Sequence, residues 1–351
     1  MKILVVSNMY PSKTAPSYGV FVKNFCDQLT QLGHSYDLAV MYKATGKVSK
    51  LINYARFYGG SFLKSLFGKY DLVYVHYASH SSPGVLLARK LRKFPIFTNC
   101  HGSDVIPENH KQETMQKNTR KILALSQKII APSVYFAKTI CDKYQIPPEK
   151  VAVCPSGGVD PQVFSPNDHL PDNEHFTIGL VGRLSAGKGW ATLLQACALL
   201  PNRNFRLLIV GDGPERPSME QLLDQLDLRS VTTLSGLQPQ HALPDIYRKL
   251  DVFAFPTERA GESLGLVAVE AMACGAPVIA SDYAAPADYV IDGVNGYKFP
   301  VGDAEALATQ LQKLQALSRQ ERELLRQGAL ETATAYTREA ATKTLQSILT
   351  L

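Results

Sequence analysis

The chain of 351 residues is 45% hydrophobic and 19% charged, enough for two domains with cores of their own and too apolar for a disordered chain. No apolar run approaches the roughly 20 residues that span a bilayer, and Cys26, Cys100, Cys141, Cys154, Cys197 and Cys274 are scattered without a C-x-x-C pair, as buried thiols of a cytoplasmic protein rather than a disulfide framework or zinc site. The net charge of +6 is uneven: residues 1–170 carry 21 Lys and Arg against 10 Asp and Glu, residues 171–351 carry 16 against 21, so only a first domain is drawn to anionic surfaces.

MKILVVSN reads as a buried first strand rather than a signal peptide. The turn in NMYPSKTAPSYGVFVKNF follows. There Gly19, just ahead of a helical segment that ends at Gly33, either brings backbone N–H groups to a phosphate or serves as a plain turn glycine. DLAVMYK, DLVYVHY, FPIFTNC, KIIAPS and KVAVCPS continue the β-rich runs, and helical periodicity between several of them predicts βαβ units on a parallel sheet.

Between Asp37 and Asp71 no acidic residue occurs, while Lys43, Lys47, Lys50, Arg56, Lys64 and Lys69 interleave with Leu51, Ile52, Tyr54, Phe57, Tyr58, Phe62, Leu63, Leu66 and Phe67. The stretch 43–69 suits either an anionic membrane surface, making the protein peripheral at the inner face of a membrane, or a solvated helix packed on the first sheet. Nucleic acid is not indicated, because no recognition motif accompanies the basic residues. In PIFTNCHGSDVIP a strand ends in His101-Gly102-Ser103-Asp104, where open α/β sheets place ligands. His101 is a ligand contact or a structural histidine; Asp104 orients an acceptor hydroxyl or caps the following turn.

DPQVFSPNDHLPDNEHF, rich in Pro, Asp and Asn, reads as the linker, giving domains at 1–165 and 170–334 and a last helix at about 335–351 that can pack back on the first. The alternation restarts with FTIGLVGRL, FRLLIVGDG, VTTLSG, DVFAFPT and APVIASD, and one or two helices without another strand are expected from about Ser318. In TIGLVGRLSAGKGWATLL, Arg183 and Lys188 stand beside a helix N-terminus and suit a diphosphate leaving group. Gly182 to Lys188 also fits the G-x-x-x-x-G-K loop of nucleoside triphosphatases, but residue 189 is Gly, so the hydroxyl that binds magnesium is missing.

TERAGESLGLVAVEAMACGAPVIASD is the most informative segment. It predicts a helix from Ser263 or Leu264 to Gly275 whose bare first turn offers the N–H groups of Ser263, Leu264, Gly265 and Leu266 to an anion. Glu262 lies just outside that helix. Glu270 sits inside it among apolar residues, where an ionised carboxylate needs donors such as a ribose diol. The plainer readings are a loop carboxylate favoured by the helix dipole and a carboxylate that reaches solvent or an arginine.

Glu262, seven intervening residues, Glu270 and AMACGAPVIA resemble the donor-site signature of family 4 retaining glycosyltransferases of GT-B fold. The resemblance implies an α/β fold of two Rossmann-like doubly wound domains facing across a deep cleft. It implies that Glu262 contacts hydroxyls of the transferred sugar, Glu270 holds the nucleotide ribose, and Arg183 and Lys188 hold the diphosphate. His101, in an HGSD-type loop, would lie beside the sugar, and Gly19 would belong to the family's glycine loop, here Ser17-Tyr18-Gly19. CPSGGVDPQVF, with Gly157, Gly158 and Asp160, resembles the interdomain motif, and Asn295-Gly296 its late turn.

The implied reaction is retaining transfer from a nucleoside-diphosphate sugar, UDP ahead of GDP, by front-face attack on a glycan or polyprenyl-linked acceptor of envelope or exopolysaccharide synthesis. No cofactor and no essential metal are expected, since no D-x-D triplet occurs. The rival readings are an epimerase or phosphorylase-like enzyme on the same scaffold, and a non-catalytic sugar-nucleotide-binding protein.

Overall fold

A computed structural model describes residues 1–16, 18–171 and 173–350. Ser17 of the expected glycine loop and Asp172 of the expected linker lie outside the described residues. The chain divides into two compact units, Met1–Gly157 with Ala341–Leu351, and Gly158–Ala340.

The first unit runs β1 (Lys2–Tyr10), α1 (Val20–Gln31), β2 (Ser35–Tyr42), α2 (Lys47–Phe67), β3 (Leu72–His76), α3 (Ala78–Leu91), β4 (Ile96–Asn99), α4 (His110–Leu125), β5 (Lys128–Ala131), α5 (Val134–Tyr144) and β6 (Val151–Val153). Its six parallel strands are ordered β2-β1-β3-β4-β5-β6. The strands are almost wholly apolar because helices cover both faces. Leu4, Val6, Val73 and Val75 face α2 to α5, while Ile3, Val5, Leu72 and Tyr74 face Val22, Phe25 and Leu29 of α1.

The second unit runs β7 (Phe176–Val181), α6 (Trp190–Ala198), β8 (Phe205–Val210), α7 (Arg216–Gln225), β9 (Thr232–Gly236), α8 (Leu243–Tyr247), β10 (Val252–Phe255), α9 (Leu266–Ala273), β11 (Val278–Ser281), α10 (Pro286–Tyr289), β12 (Gly296–Phe299), α11 (Ala304–Ala316) and α12 (Arg319–Thr334). Its parallel sheet is ordered β12-β11-β10-β7-β8-β9, so chain order reverses between β7 and β10. A crevice beyond the carboxyl ends of those two strands is where such sheets bind ligands.

Three expectations shift. The change of unit falls at Gly157–Gly158 rather than at 165–170, because residues 158–170 are tied to the second unit: Val159 N–H donates to the Tyr336 carbonyl at 2.8 Å, Asp160 pairs with Arg338 at 2.9 Å, and Arg248 Nε donates to the Ser165 carbonyl at 2.7 Å. The last helix, α13 (Arg338–Leu349), begins three residues later than expected, and its Leu345, Ile348 and Leu349 are buried with α1 of the first unit. The late turn expected at Asn295-Gly296 stops at Asn295, because Gly296 already opens the edge strand β12, parallel to β11.

The stretch 43–69 divides its apolar residues. Tyr54, Phe57, Tyr58, Phe62 and Leu66 pack on the first unit's core, whereas Leu51, Ile52, Leu63 and Phe67 are exposed with Val48. Among the described residues, no helix is long and apolar enough to cross a membrane.

Candidate functional site

In the second unit the loops after β7 and β10 meet at the reversal point. Glu258 N–H donates to the Gly187 carbonyl at 2.8 Å, which holds one loop against the other. Gly189 caps α6 at φ 69°, and a Cβ there would stand 1.7 Å from the Pro256 carbonyl oxygen. This close approach carries Lys188 to the β10 loop. Its ammonium lies 2.6 Å from Glu262 Oε2, which also accepts from the Thr257 hydroxyl at 3.4 Å.

The helix after Glu262 starts later than its sequence suggests. Gly265 takes the left-handed conformation at φ 80° as N-cap, so α9 begins at Leu266, and Ser263 and Leu264 lie ahead of it. A Cβ at Gly265 would also sit 2.6 Å from the Phe255 ring. Ala268 N–H is taken by the Gly265 carbonyl at 2.9 Å. This start puts the N–H groups of Leu266 and Val267, rather than those of Ser263 to Gly265, in the helix's first turn. Val267 and Arg183 line one cavity of about 660 Å³, with Gly182, Gly211, Asp212, Gly213 and Leu243.

Glu270 is 8% exposed, one turn further into α9. It accepts from the Tyr247 hydroxyl at 3.1 Å and from Gln240. Burial pushes its carboxyl up to about 7, and those two donors oppose the rise. The donors are neither solvent nor arginine, the alternatives that the helix pattern suggested.

In the first unit His101 follows β4 in a loop gathered by Asp104. That carboxylate is fully buried and accepts three backbone N–H groups, from Ala78 at 2.9 Å, His101 at 3.0 Å and Gly102 at 2.9 Å. Of its two readings, capping is the one that the geometry fits, and its acceptor-side candidacy is corrected accordingly. Burial drives the His101 imidazole down to about 3, so the ring is neutral. It packs on Phe21 at 4.5 Å and Tyr77 at 5.9 Å between centroids. Gly19 caps α1 at φ 75°, with Met9 backbone 2.6 Å from where a Cβ would be, which is itself reason for a glycine.

Two family models cover the chain in tandem: residues 19–163 match Glycosyltransferase Family 4 and residues 163–331 match Glycosyl transferases group 1. The D-inositol 3-phosphate glycosyltransferase of Stackebrandtia nassauensis is 29% identical over 77% of this chain and 66% of its own length. The amylovoran biosynthesis glycosyltransferase AmsK of Erwinia amylovora is 28% identical over 70% and 61%. This chain thus spans roughly two thirds of the length of these curated relatives.

Among solved structures, sucrose-phosphate synthase of Thermosynechococcus elongatus superposes with a TM-score of 0.83 at 21% identity, over 99% of this chain and 98% of that one. HepE of Anabaena, in complex with UDP, gives 0.78 at 18% over both whole chains. The chain is a glycosyltransferase of GT-B fold.

Within this glycosyltransferase the structure brings Lys188 to Glu262 and sets Arg183 and Val267 in one cavity, with Glu270 on the same helix as Val267. Sequence reasoning missed Thr257, Tyr247 and Gln240, which hold the two carboxylates. Tyr247 is 23 residues from Glu270, and only its burial beside a strand signals that its hydroxyl needs an acceptor. Tyr77 was missed as well. It caps α3 at φ 68°, an uncommon conformation for a tyrosine, and its hydroxyl meets that of Ser103. The Gly157-Gly158-Asp160 motif acts through Gly158, whose Cβ would lie 2.5 Å from the Thr337 carbonyl oxygen. Asn295 is fully buried and ties the β12 entry to Tyr289, Ile291 and Thr332.

Proposed function

We propose that this glycosyltransferase moves a sugar, with retention at the anomeric carbon, from a nucleoside diphosphate to a hydroxyl of a glycan or polyprenyl-linked acceptor in envelope or exopolysaccharide synthesis. The observation that carries this reading is the Lys188–Glu262 pair at 2.6 Å beside the N-terminus of a helix that buries Glu270. Cations and helix N–H groups suit a diphosphate whose charge grows as the glycosidic bond breaks, and a buried carboxylate suits a ribose diol.

In this reading Arg183, Lys188 and the N–H groups of Leu266 and Val267 hold the diphosphate. Glu262, Ser263, Leu264 and Gly265 form the loop around the transferred sugar, and Glu270 grips the ribose. Of the first unit's candidates, Gly19 shapes the turn before α1, and His101 is a neutral ring able to take part in a hydrogen bond. The departing phosphate helps to deprotonate the acceptor on the same face. Protein cations do the work of a metal, so transfer persists in EDTA.

UDP is favoured as the nucleotide, ahead of GDP. HepE has been solved with UDP and with UDP-glucose, which supports this preference. The names of AmsK and of the putative colanic acid biosynthesis glycosyltransferase WcaL of Escherichia coli support a polysaccharide acceptor. Leu51, Ile52, Leu63 and Phe67, exposed among the lysines of α2, support peripheral attachment to an anionic membrane. The deciding test is a thermal-shift panel of UDP-, GDP- and ADP-sugars with and without magnesium. One nucleotide should stabilise the protein in EDTA, and Glu270→Ala should abolish the shift. Stabilisation by none of them, or only with magnesium, contradicts the reading.

A further inference from the structure

Lys188 stands between Gly187 and Gly189, both in the left-handed conformation at φ 74° and 69°. Backbone of this kind has the widest freedom to give up, so its place has to come from contacts outside the turn. Inside the turn, Lys188 N–H reaches the Ser185 carbonyl at 3.2 Å, the long end of the amide range.

One residue of the loop after β8 grips this segment twice. Glu215 N–H donates to the Leu184 carbonyl at 3.1 Å, and Glu215 Oε2 accepts from the Trp190 indole N–H at 2.7 Å. One contact thus falls before Lys188 and the other after it. Leu184 and Trp190 are both buried in the second unit's core, so neither end of the segment gives way easily. On the other side the β10 loop completes the hold, where Glu258 Oε1 accepts from the Thr192 hydroxyl at 2.8 Å.

Glu215 is the N-cap of α7, a position whose side chain ordinarily accepts from the helix's own first N–H groups. Its carboxylate makes no such bond and reaches back to Trp190 instead. Asp212, Gly213 and Pro214 line the cavity of Arg183 and Val267, but Glu215 does not. A carboxylate beside that cavity but outside it, bonded to the lysine's segment at both ends, has the geometry of a brace rather than of a ligand contact.

We infer that Glu215 is a positioning residue: through Leu184 and Trp190 it brackets the turn and fixes where Lys188 presents its ammonium. That the ammonium then serves a diphosphate rests on the proposed function; the bracket itself does not.

Two arms on the full chain test it. Without donor, denaturant titrations compare Glu215→Leu, Lys188→Met and the double variant. If Glu215 places Lys188 against Glu262, the double variant's midpoint falls by less than the sum of the two single losses. Additive losses overturn the inference. Trp190 is the sole tryptophan, so its emission reads the bond directly. Acrylamide should quench it more in Glu215→Leu than in the wild type or in Glu215→Gln, which keeps an acceptor oxygen for the indole. Equal quenching in all three also overturns the inference.

With sugar transfer as readout, Glu215→Leu should lower kcat about tenfold, the weight of one ordinary hydrogen bond, and Glu215→Gln should restore it. In a Lys188→Met background the same substitution should change kcat by less than about twofold. An equal loss in both backgrounds overturns the inference, since a general packing fault does not depend on Lys188. If Glu215→Leu does not fold, Trp190→Phe breaks the same bond from the other side and takes its place in both cycles. If Lys188→Met leaves kcat unchanged, the proposed function falls, while the donor-free arm still decides the bracket.

Discussion

Lys188 Nζ and Glu262 Oε2 lie 2.6 Å apart with only 22% and 14% of their side chains exposed, so the cation assigned to the donor phosphate is held by the carboxylate assigned to the sugar. Each matches the other's charge, and under the proposed function an arriving diphosphate would draw the ammonium away and release Glu262 toward sugar hydroxyls. Removing one partner leaves a half-buried charge that keeps little but the 3.4 Å Thr257 contact. Lys188→Met should therefore lower both stability and kcat, kcat by about 10²-fold, as expected when one group facing developing charge is lost. Glu262→Gln keeps the Thr257 contact and should retain more stability while losing kcat. Denaturant titration beside initial rates checks this; a Lys188→Met enzyme with unchanged kcat would remove Lys188 from the mechanism.

Glu270 ties stability and donor affinity to pH. Its carboxyl ionises near 4.5 in an unfolded chain and near 7 in the fold. Below 4.5 both states carry the proton and there is no difference. As pH rises from 4.5 to 7 the unfolded chain releases its proton first, so the native state loses stability, by about 3 kcal/mol in total. Above 7 the loss is complete. Glu270→Gln should flatten this segment of the stability–pH curve and make the protein more stable at pH 8. Ribose hydroxyls favour the ionised form, so donor affinity should fall as pH drops through 7. Calorimetry in buffers of different ionisation heat should show proton release on donor binding at pH 7. No proton release would separate Glu270 from the ribose.

The sheets were legible because a strand covered by helices on both faces must be a run such as KILVV or FRLLIV, and such runs have few other uses. Gly-Tyr-Lys-Phe escaped because it is four residues long, half-polar and adjoins a turn. The start of α9 was displaced because only φ 80° at Gly265 decides which residue is the cap, and composition does not carry that angle. The two carboxylates were visible through their spacing. Their holders were not: Tyr247 reaches Glu270 across tertiary structure, without any local pattern to mark the pair.

Asp104 separates a capping role from an acceptor contact. Its carboxylate gathers the N–H groups of Ala78, His101 and Gly102, joining the start of α3 to the His101 loop. Asp104→Ala leaves three buried donors with no acceptor and should cost about 3 kcal/mol. Hydrogen exchange at 101–104 should accelerate with it. Asp104→Asn keeps one acceptor oxygen and should recover part of the loss. An Asp104→Asn protein of wild-type stability with a raised acceptor KM would instead return this residue to the acceptor side.

Gly189 is where the resemblance to a triphosphatase loop can be tested physically. Gly189→Ser would complete G-x-x-x-x-G-K-S, yet residue 189 sits at φ 69°, with Pro256 carbonyl oxygen 1.7 Å from the added Cβ. A side chain there has to force the β7 and β10 loops apart, breaking the approach that delivers Lys188 to Glu262. The variant should lose at least about 3 kcal/mol, combining left-handed strain with a backbone clash. It should also gain no affinity for Mg-ATP, because the loop follows a β7–β10 reversal shaped by that contact. Denaturant titration and isothermal calorimetry measure both outcomes; wild-type stability in Gly189→Ser would mean that the two loops do not meet as described.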